Sequence, residues 1–438
     1  MNTNRLPLVL VPQYFGSTVY DRRTSRYMPF DIESTALLRQ LMVVPFSRIH
    51  TEWSDVEEPS RVRALEMFYE NFNDRGFFTV DQRFAGEVLN IEPPIDHLTG
   101  PLAVHLEIVS ACNLKCTHCF AGELPRIERR LNLEELDNLF AQMAAIGSFR
   151  LGLTGGEPLL RRDIFQIIDA ATSHGLHPCV TTNGLLITEE IARGFGERDL
   201  VWLNVSLEGS TAPSNDRIRG EGTFDRVLEK LAILRDHSDF TLAFTITSAN
   251  ANEVEECAAL AERVGASTAV FRPLYPVGMA QENLDLMPTF DQYAQALDEL
   301  TSFSSAGNVS PRHLDPFSPA IREDRQATCH TNSGCGAGNL VCSISVSGDI
   351  NPCSFLGSGF NTGNVRERTL AELWHSGPGF TSIRALSDDA FTGGCRARAL
   401  AFNGSISSAD PWVQAATEAS DIRRSLPLMT IESSRAPR

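Results

Sequence analysis

From residue 100 to 310, short runs rich in apolar and β-branched residues alternate with stretches whose apolar residues recur at helical spacing. The runs predict six strands, at 104–109, 149–154, 177–182, 200–207, 240–246 and 267–274. In the first helical stretch, Asn132 is followed three residues later by Glu135, which is typical of a capping box at a helix start. Strands that alternate with helices indicate parallel β/α units. The pattern therefore predicts an α/β fold built on a partial (β/α)6 barrel, similar to a TIM barrel.

The N-terminal segment has a different pattern. Residues 1–95 carry two candidate strands, near 8–12 and 18–23. They also carry two candidate helices, one that starts at Asp31 and one over 62–72 with its apolar residues on one face. This pattern predicts a small separate domain.

The remaining boundaries follow from loop-forming composition. The proline-containing stretch 91–101 predicts a linker, so the barrel is expected over 100–312. Loops rich in Gly, Ser and Cys follow, which predict a C-terminal domain over 313–405. Residues 406–438 are expected to form a C-terminal tail.

Composition and charge exclude several classes of protein. With 438 residues the chain is long enough for two or three domains. No apolar run approaches the roughly 18 residues that span a bilayer, and the N-terminal segment lacks the features of a signal peptide. We therefore expect no membrane association and a cytoplasmic location. The net charge of −17 disfavours nucleic acid as a partner, because phosphates bind clustered Lys and Arg.

The ten cysteines, in a chain without an export signal, predict metal ligands rather than disulfides. Cys112, Cys116 and Cys119 follow the first predicted barrel strand, and such barrels place active sites at the C-terminal ends of strands. Three thiolates without a fourth nearby suit a 4Fe-4S cube with one open iron. A zinc site completed by His118 or by a distant residue is the alternative. Two other cysteines lie in patterned segments and are predicted to be buried core thiols: Cys179 and Cys257.

The C-x3-C-x2-C spacing of this loop resembles the signature of the radical S-adenosylmethionine (SAM) superfamily. Further motifs follow in the family's order after the second, third and fourth strands: TGGEP (154–158), TNG (182–184), and SLEG (206–209) with RIRG (217–220). Alone, each motif has a simpler explanation as a turn or a solvated charge. Together they stand at the ends of consecutive strands, so the fold would bring them to one mouth of the barrel.

The resemblance implies a cofactor and its ligands. In the family, the open iron of the 4Fe-4S cluster is chelated by the amino and carboxylate groups of SAM, which assigns this cluster to Cys112, Cys116 and Cys119. The resemblance also implies SAM contacts: Gly155, Gly156 and Glu157 at the methionine ammonium, Asn183 near the ribose, and Ser206 and Arg219 at the carboxylate. The chain departs from the family pattern at two positions, with Glu208 where Asp is usual and His118 where an aromatic ring is usual.

The C-terminal cysteines resemble the SPASM extension of peptide-modifying radical SAM enzymes, as does the segment GNVRERTLAELW (363–374). That extension usually carries two auxiliary 4Fe-4S clusters, and the resemblance implies these ligands for the first: Cys329, Cys335, Cys353 and Cys395. The second cluster is predicted to be absent, because 383–392 holds none of the cysteines expected there. Cys342 stays open, as a buried thiol or an alternative ligand to Cys329. A structural zinc knuckle is the alternative for the whole segment.

Residues 7–90 resemble the RiPP recognition element, a small winged-helix domain that binds ribosomally made precursor peptides. The similar stretches are GSTVYDRRTSRY (16–27) and RALEMFYENFNDRGFF (63–78). In that family the peptide's leader segment adds as a strand to the exposed edge of the domain's sheet. The alternative is a scaffold that packs on the barrel and binds nothing.

Together these resemblances imply a radical SAM enzyme that matures a ribosomally synthesised precursor peptide. Electrons from an external donor would cleave SAM to methionine and a 5′-deoxyadenosyl radical, which takes a hydrogen atom from the peptide. One auxiliary cluster would accept the second electron or bind a substrate thiolate, giving a C–S or C–C crosslink. Two alternatives stay open: an enzyme acting on a small molecule such as a tetrapyrrole side chain, and a noncatalytic metal-binding module that recruits peptides.

Overall fold

The computed structural model describes residues 5–122, 129–303, 309–313, 335–386, 394–413 and 415 of the 438-residue chain. Two sheets organise these residues: a four-stranded sheet near the N-terminus and a nine-stranded sheet that contains the barrel. No helix among the described residues combines the length and the apolar character that crossing a bilayer requires.

The N-terminal unit is a sheet with helices on one face. Its strands are β1 (Leu8–Gln13), β2 (Gly16–Asp21), β3 (Arg26–Asp31) and β4 (Gly86–Val88), in the order β3-β2-β1-β4. Its helices are α1 (Ile32–Val43), α2 (Phe46–Val56) and α3 (Pro59–Asn73). The predicted helix start at Asp31 is confirmed, since its side chain accepts a hydrogen bond from the backbone N–H of Ser34. The sequence pattern did not indicate β3, β4 or α2; in α2, Ile49 alone is fully buried, which leaves little periodicity to detect.

Strand β1 contributes alternate side chains to two different cores. Leu8 and Leu10 pack with the helices of the N-terminal unit, whereas Val9 and Val11 belong to the main core around the barrel. Successive residues of a strand face opposite sides, so one strand serves both cores. Burying one such side chain fully stabilises the fold by roughly 1.5–3 kcal/mol. The sheet therefore lies between its own helices and the barrel.

Polar contacts reinforce this junction. Tyr20 is fully buried, and its ring stacks on Phe149 with centroids 4.8 Å apart. The Tyr27 hydroxyl donates to the carbonyl of Gly147 at 2.9 Å and accepts from the N–H of Phe149 at 2.7 Å. The barrel thus supplies both a hydrogen-bond acceptor and a hydrogen-bond donor to this buried hydroxyl.

Six parallel strands form the barrel, as the sequence predicted: β5 (Ala103–Val109), β6 (Arg150–Gly155), β7 (His177–Thr182), β8 (Leu203–Ser206), β9 (Thr241–Ile246) and β10 (Thr268–Pro273). Eight helices lie between or after them: α4 (Leu133–Ala145), α5 (Ile164–Ser173), α6 (Glu189–Gly196), α7 (Ala212–Arg219), α8 (Thr223–Arg235), α9 (Val254–Arg263), α10 (Met279–Glu282) and α11 (Phe290–Ser302). The predicted capping box is confirmed, because Asn132 and Glu135 each bond the other's backbone N–H. The sheet continues beyond the six strands, with β11 (Ser310–His313) beside β10.

Side chains of the barrel strands alternate between helices and lumen. Along β5, β6 and β7, fully buried residues such as Leu106 alternate with half-buried ones. His105, Gly152 and Cys179 are neighbours across three strands and belong to the half-buried set, which faces the lumen. The prediction of a core thiol is therefore wrong for Cys179, and it is confirmed for Cys257, which is buried on α9. Polar residues that face the lumen obscure the pattern of apolar residues along these strands. The sequence alone therefore did not show which residues face the helices and which face the lumen.

The C-terminal unit joins the barrel through backbone pairing. Strand β12 (Val341–Ile344) runs parallel to β5 and forms a hairpin with β13 (Ile350–Asn351). Among the described residues, the helices that follow include α12 (Leu370–Ser376), α13 (Pro378–Arg384) and α14 (Arg396–Asn403). The indole N–H of the fully buried Trp374 donates to the carbonyl of Leu98 at 2.7 Å. Arg366 donates two hydrogen bonds to the carboxylate of Glu135, at 2.6 and 3.1 Å.

Candidate active site

The loop that follows β5, residues 110–122, carries three of the predicted ligands. Cys112 is exposed, while Cys116 and Cys119 are half-buried. Burial raises the pKa of Cys116 to about 11, and it also raises the pKa of Cys119. Charges on Cys112 and Cys119 raise the Cys116 pKa further, so the three thiols lie within electrostatic reach of one another. Buried thiols of this kind ionise when a cation is bound to them.

This cluster loop is anchored at several points of the barrel mouth. The side-chain amide of Asn183, at the end of β7, donates to the Asn113 amide oxygen at 2.7 Å. The backbone N–H of Thr117 donates to the carbonyl of Ile218 in α7 at 3.0 Å. The carbonyl of Cys119 accepts from the first residue of α10 at 2.9 Å. The loop therefore touches segments that follow three different strands, as predicted from the positions of the motifs.

Two glycines at the end of β6 are required by the cluster loop itself. Gly155 has φ +125°, and a Cβ there would lie 2.3 Å from the carbonyl oxygen of Val109. At Gly156 a Cβ would lie 2.1 Å from the carbonyl oxygen of Ala111. No side chain fits at these distances. The glycines let β6 approach the backbone just ahead of the cysteines.

Glu157 connects the ends of β6 and β7. It is 1% exposed, and its carboxylate accepts hydrogen bonds from the Thr182 hydroxyl at 2.6 Å and the Asn183 N–H at 2.8 Å. Burial raises the pKa of Glu157, and these hydrogen bonds oppose the shift. The carboxylate thus fixes the segment that holds Asn183 against the cluster loop.

Arg219 offers a buried cationic donor beside the cluster loop. Its guanidinium donates to the Glu208 carboxylate at 3.1 Å, and its charge lowers the pKa of Cys116 against the larger effect of burial. The Nε atom is buried and has no hydrogen-bond partner in the described part of the chain. Buried donors are normally paired, so this one suits an anionic ligand such as the carboxylate of SAM. Ser206, the last residue of β8, is half-buried two positions before Glu208.

The two departures from the family motifs contact each other. His118 Nε2 lies 3.0 Å from Glu208 Oε1, and the backbone N–H of Thr245 at the end of β9 donates to Oε2 at 2.7 Å. The sequence analysis noted both positions as unusual without connecting them. Their pairing depends on the distance between two loops, which a single sequence does not display.

Three of the predicted auxiliary ligands converge. Cys335 and Cys395 are each 6% exposed, and Cys353 is half-buried in the same apolar cluster. Burial raises the pKa of Cys353, and charges on Cys335 and Cys395 raise it further, so these thiols are near neighbours. Burial also raises the pKa of Cys395 to about 12. Cys329 lies outside the described residues.

Asp410 holds the segment that carries Cys395. Its fully buried carboxylate accepts from the Cys395 N–H at 2.6 Å and from the guanidinium of Arg398 at 2.8 Å. Trp412 lies under Arg398, with the guanidinium carbon 3.8 Å from a ring centroid. The sequence analysis placed Asp410 in the tail and missed this role.

Cys342 lies apart from that group. It sits on β12 opposite Val104, is fully buried in the main core, and burial raises its pKa. The charge of Arg384 opposes this shift. This placement suits a buried thiol.

Aromatic rings join the two cysteine-bearing regions. Phe120 follows Cys119 directly, and its ring meets the edge of Phe355 at 5.9 Å between centroids. Phe355 is two residues beyond Cys353 and stacks on Tyr275 at 4.3 Å. The cluster loop and the segment that follows Cys353 therefore share one packed contact.

The contact of His118 does not favour it as the fourth ligand of a zinc site in the cluster loop. The remaining ligand that zinc would need, His118, directs Nε2 to Glu208. Three thiols spread along one loop suit separate irons of a cube.

Comparisons with known proteins identify the family. Residues 106–261 match the model of the Radical SAM superfamily, and residues 335–397 match the SPASM iron-sulfur cluster-binding domain. The mycofactocin maturase MftC of Mycobacterium tuberculosis is 32% identical over 306 residues, which cover 68% of this chain and 76% of that protein. The chain belongs to the radical SAM superfamily. As a radical SAM enzyme it uses SAM and a 4Fe-4S cluster, and its SPASM domain implies auxiliary iron-sulfur clusters.

Two further similarities cover most of this radical SAM enzyme. The AdoMet-dependent heme synthase of Methanosarcina barkeri is 28% identical over 337 residues, covering 72% of this chain and 96% of that protein. The structure of Streptococcus suis SuiB bound to precursor peptide SuiA matches with a TM-score of 0.70 at 15% identity. That match covers 93% of this chain and 98% of SuiB. Residues 1–95 form about a fifth of the chain, so the likeness of fold extends into the N-terminal unit.

Proposed function

We propose that this radical SAM enzyme modifies a ribosomally synthesised precursor peptide and forms a C–S or C–C crosslink in it. The observation that carries the proposal is the match to SuiB, which extends beyond the barrel into the N-terminal unit and was obtained with precursor peptide bound. The relation to a mycofactocin maturase supports the same class of substrate. The proposal includes an external electron donor, and no nucleic acid or membrane partner.

The N-terminal sheet offers an edge for a leader segment. Strand β3 pairs with β2 on one side, and no described strand pairs with its other side. Its six residues exceed the three of β4 at the opposite edge. Free N–H and C=O groups along an edge bind an added strand. We therefore assign leader binding to β3.

The radical SAM cluster is assigned to Cys112, Cys116 and Cys119. The assigned SAM contacts are Gly155, Gly156, Glu157, Asn183, Ser206 and Arg219. Their positions around one mouth and the unpartnered Nε of Arg219 support these assignments. When bound, the cluster and SAM supply a 5′-deoxyadenosyl radical that removes a hydrogen atom from the substrate.

The protein's own residues hold and orient these groups. Arg219 directs a charge-assisted donor to the SAM carboxylate, because Glu208 fixes its other side. Glu157 keeps Asn183 in place against the cluster loop. Fixed donors and excluded water position a reactive group without reorganisation during the reaction.

The lumen below this mouth offers polar contacts for a peptide. Burial raises the pKa of Glu107 to about 7, and burial lowers the pKa of His105 to about 4. Arg272 on β10 is exposed, and its charge contributes to lowering the pKa of His105. A hydrogen-bonding wall of this kind suits the polar backbone of a peptide chain.

The auxiliary cluster is assigned to Cys329, Cys335, Cys353 and Cys395, and we propose one auxiliary cluster in this enzyme. The grouping of Cys335, Cys353 and Cys395 supports the assignment. Cys342 is assigned no ligand role, in keeping with its place in the main core.

The domains are proposed as a peptide-binding unit at 1–95, the radical SAM barrel at 100–312 and the SPASM-like unit from 313. We end that last unit after 413 instead of at 405, because Asp410 is fully buried and Trp412 stacks on Tyr293 at 4.9 Å. The proposed tail then begins after Val413.

The test is an anaerobic reaction with short peptides encoded beside the gene, read by mass spectrometry. Loss of two mass units from one peptide is expected, since a crosslink removes two hydrogens. The same peptide without its leader should react poorly, and the free leader added separately should inhibit while a scrambled leader should not. An unchanged mass with an altered residue configuration would replace crosslinking by epimerisation.

A small-molecule substrate is the second candidate. The similarity to an AdoMet-dependent heme synthase, which spans nearly all of that protein, favours it. That match leaves more than a quarter of this chain uncovered. Conversion of a tetrapyrrole by the enzyme, with no dependence on any peptide, would favour this candidate. A noncatalytic role is disfavoured by membership of an enzyme superfamily.

A further inference from the structure

Glu208 forms the centre of a buried polar group at the barrel mouth. The residue is 2% exposed and follows β8. Its Oε1 accepts from Arg219 at 3.1 Å and lies 3.0 Å from His118 Nε2. Its Oε2 accepts from the N–H of Thr245 at 2.7 Å. One carboxylate thereby connects the cluster loop, α7 and the end of β9.

The partners of this carboxylate each retain an unused polar atom. A carboxylate accepts hydrogen bonds, so His118 donates through Nε2, and its other ring nitrogen remains. Neither Nδ1 of His118 nor Nε of Arg219 has a hydrogen-bond partner in the described residues, and both atoms are buried. The unpaired Nε of Arg219 suits an anionic ligand beside this carboxylate. The candidate is SAM, by the role proposed for Arg219.

The lengths of the side chains explain why the two departures occur together. Glu is one methylene longer than Asp, which extends its carboxylate by about 1.5 Å. An Asp at 208 would fall short of His118 and Arg219 unless the loops moved. An aromatic ring without nitrogen at 118 would offer no donor to Glu208, leaving part of a buried carboxylate unpaired. Each departure therefore requires the other.

We propose that Glu208 and His118 are a matched positioning pair for SAM, in which one carboxylate sets both the cluster loop and the guanidinium of Arg219. The pair fixes the distance between the cluster that chelates SAM and the arginine that binds its carboxylate. This inference rests on the SAM role proposed for Arg219, and it is independent of the peptide substrate. Neither residue is a catalytic residue, since each acts through Arg219 or the loop.

The experiment measures SAM affinity and the electron paramagnetic resonance spectrum of the reduced, SAM-bound holoenzyme. Glu208→Asp and His118→Phe should each weaken SAM binding by roughly tenfold and alter the spectrum. In each variant the cluster loop and the guanidinium of Arg219 are no longer held by the same carboxylate. In the double variant His118 has already lost its carboxylate partner, so the loss of affinity should be no greater than that of Glu208→Asp alone, a strong departure from additivity. His118→Gln keeps a donor near the Nε2 position and should stay close to wild type.

Controls separate positioning from general damage. Glu253→Asp shortens another carboxylate, which accepts from Ser210 and Ser214 and does not contact this group. It should leave SAM affinity unchanged. Iron content and thermal unfolding of every variant show whether the clusters and fold persist. Additive losses in the double variant, or wild-type SAM binding in both single variants, would overturn the pairing. Unchanged SAM affinity in Arg219→Lys would instead overturn the proposed role of Arg219, whatever the peptide assay shows.

Discussion

The carboxylate of Glu157 accepts a hydrogen bond from the backbone N–H of Asn183 at 2.8 Å, and so connects the ends of two neighbouring barrel strands. Through Asn183 the connection reaches Asn113 in the cluster loop. The position of this glutamate in a glycine-rich motif suggests a direct contact with SAM. Here its oxygens are also bonded within the protein, so this carboxylate holds in place the segment that carries Asn183.

Replacing Glu157 by Gln should therefore reduce both stability and SAM cleavage. An amide places a donor against the donors of Asn183 and Thr182, which should cost roughly 1–3 kcal/mol of unfolding free energy. Urea unfolding and 5′-deoxyadenosine formation measure the two effects. Glu256→Gln, on the exposed side of α9, is the matched control and should be close to neutral.

Removing the thiols of Cys112, Cys116 and Cys119 together, by substitution with Ala, should abolish SAM cleavage. These residues lie on a loop outside the main apolar core, so the N-terminal unit and barrel should remain folded. Circular dichroism and 5′-deoxyadenosine assays check the two expectations. Sustained 5′-deoxyadenosine production would contradict the assignment of the cluster.

Iron content should distinguish the auxiliary cysteines. Two clusters give about eight irons per chain, and about four should remain after removal of the radical SAM thiols. Cys353→Ala should then weaken or abolish the remainder, whereas Cys342→Ala should change little beyond a small loss of packing. Twelve irons in the intact enzyme would mean a second auxiliary cluster. Loss of iron in Cys342→Ala would make Cys342 a ligand and leave Cys329 spare.

Asp410→Ala should impair the auxiliary site without touching a ligand. It leaves Arg398 buried without its carboxylate, a change that typically costs 3–5 kcal/mol, and it frees the backbone N–H of Cys395. Auxiliary iron should be lost at lower denaturant concentration than in wild type, as followed by absorbance. Asp239→Ala, at an exposed position, serves as the comparison. Equal cluster retention in both variants would contradict this role of Asp410.

The contact between Glu135 and Arg366 should make the junction of barrel and C-terminal unit sensitive to acid. The hydrogen bonds from Arg366 lower the pKa of Glu135 from 4.5 to about 2, so the ionised form is favoured in the folded state. Its contribution is complete above about pH 4.5 and is lost as pH falls toward 2. Glu135→Gln should lower unfolding free energy by roughly 1–2 kcal/mol at pH 7, with a smaller difference at pH 3. Glu134→Gln, its exposed neighbour, should show a weaker dependence.

The barrel was largely predictable because its physical causes are local. Buried strands and the capping box of Asn132 and Glu135 leave direct patterns in the sequence, and parallel topology then brings the motifs to one mouth. The pairing of His118 with Glu208 was not predictable, since it depends on distances between loops. The same holds for Asp410, which lies fifteen residues beyond the cysteine it holds.

The N-terminal unit was predicted less completely for a similar reason. Its helix α2 buries little apolar surface. Its strand β1 is apolar on both faces, so the sequence shows no alternation of polar and apolar residues that would indicate which face is buried. For Cys179 the sequence pattern was present but misleading. Its neighbours in sequence suggest a core position, whereas its neighbours across the strands line the lumen.

Because strand β1 packs into two cores, it would influence which residue of a bound peptide reaches the barrel mouth. With Leu8 and Leu10 in one core and Val9 and Val11 in the other, the N-terminal unit cannot swing away from the barrel without exposing apolar surface to water. A leader held at β3 would then sit at a constant separation from the barrel mouth. The number of residues between the leader and the modified site would then determine which residue reacts. Lengthening or shortening that spacer would direct the reaction to a different residue.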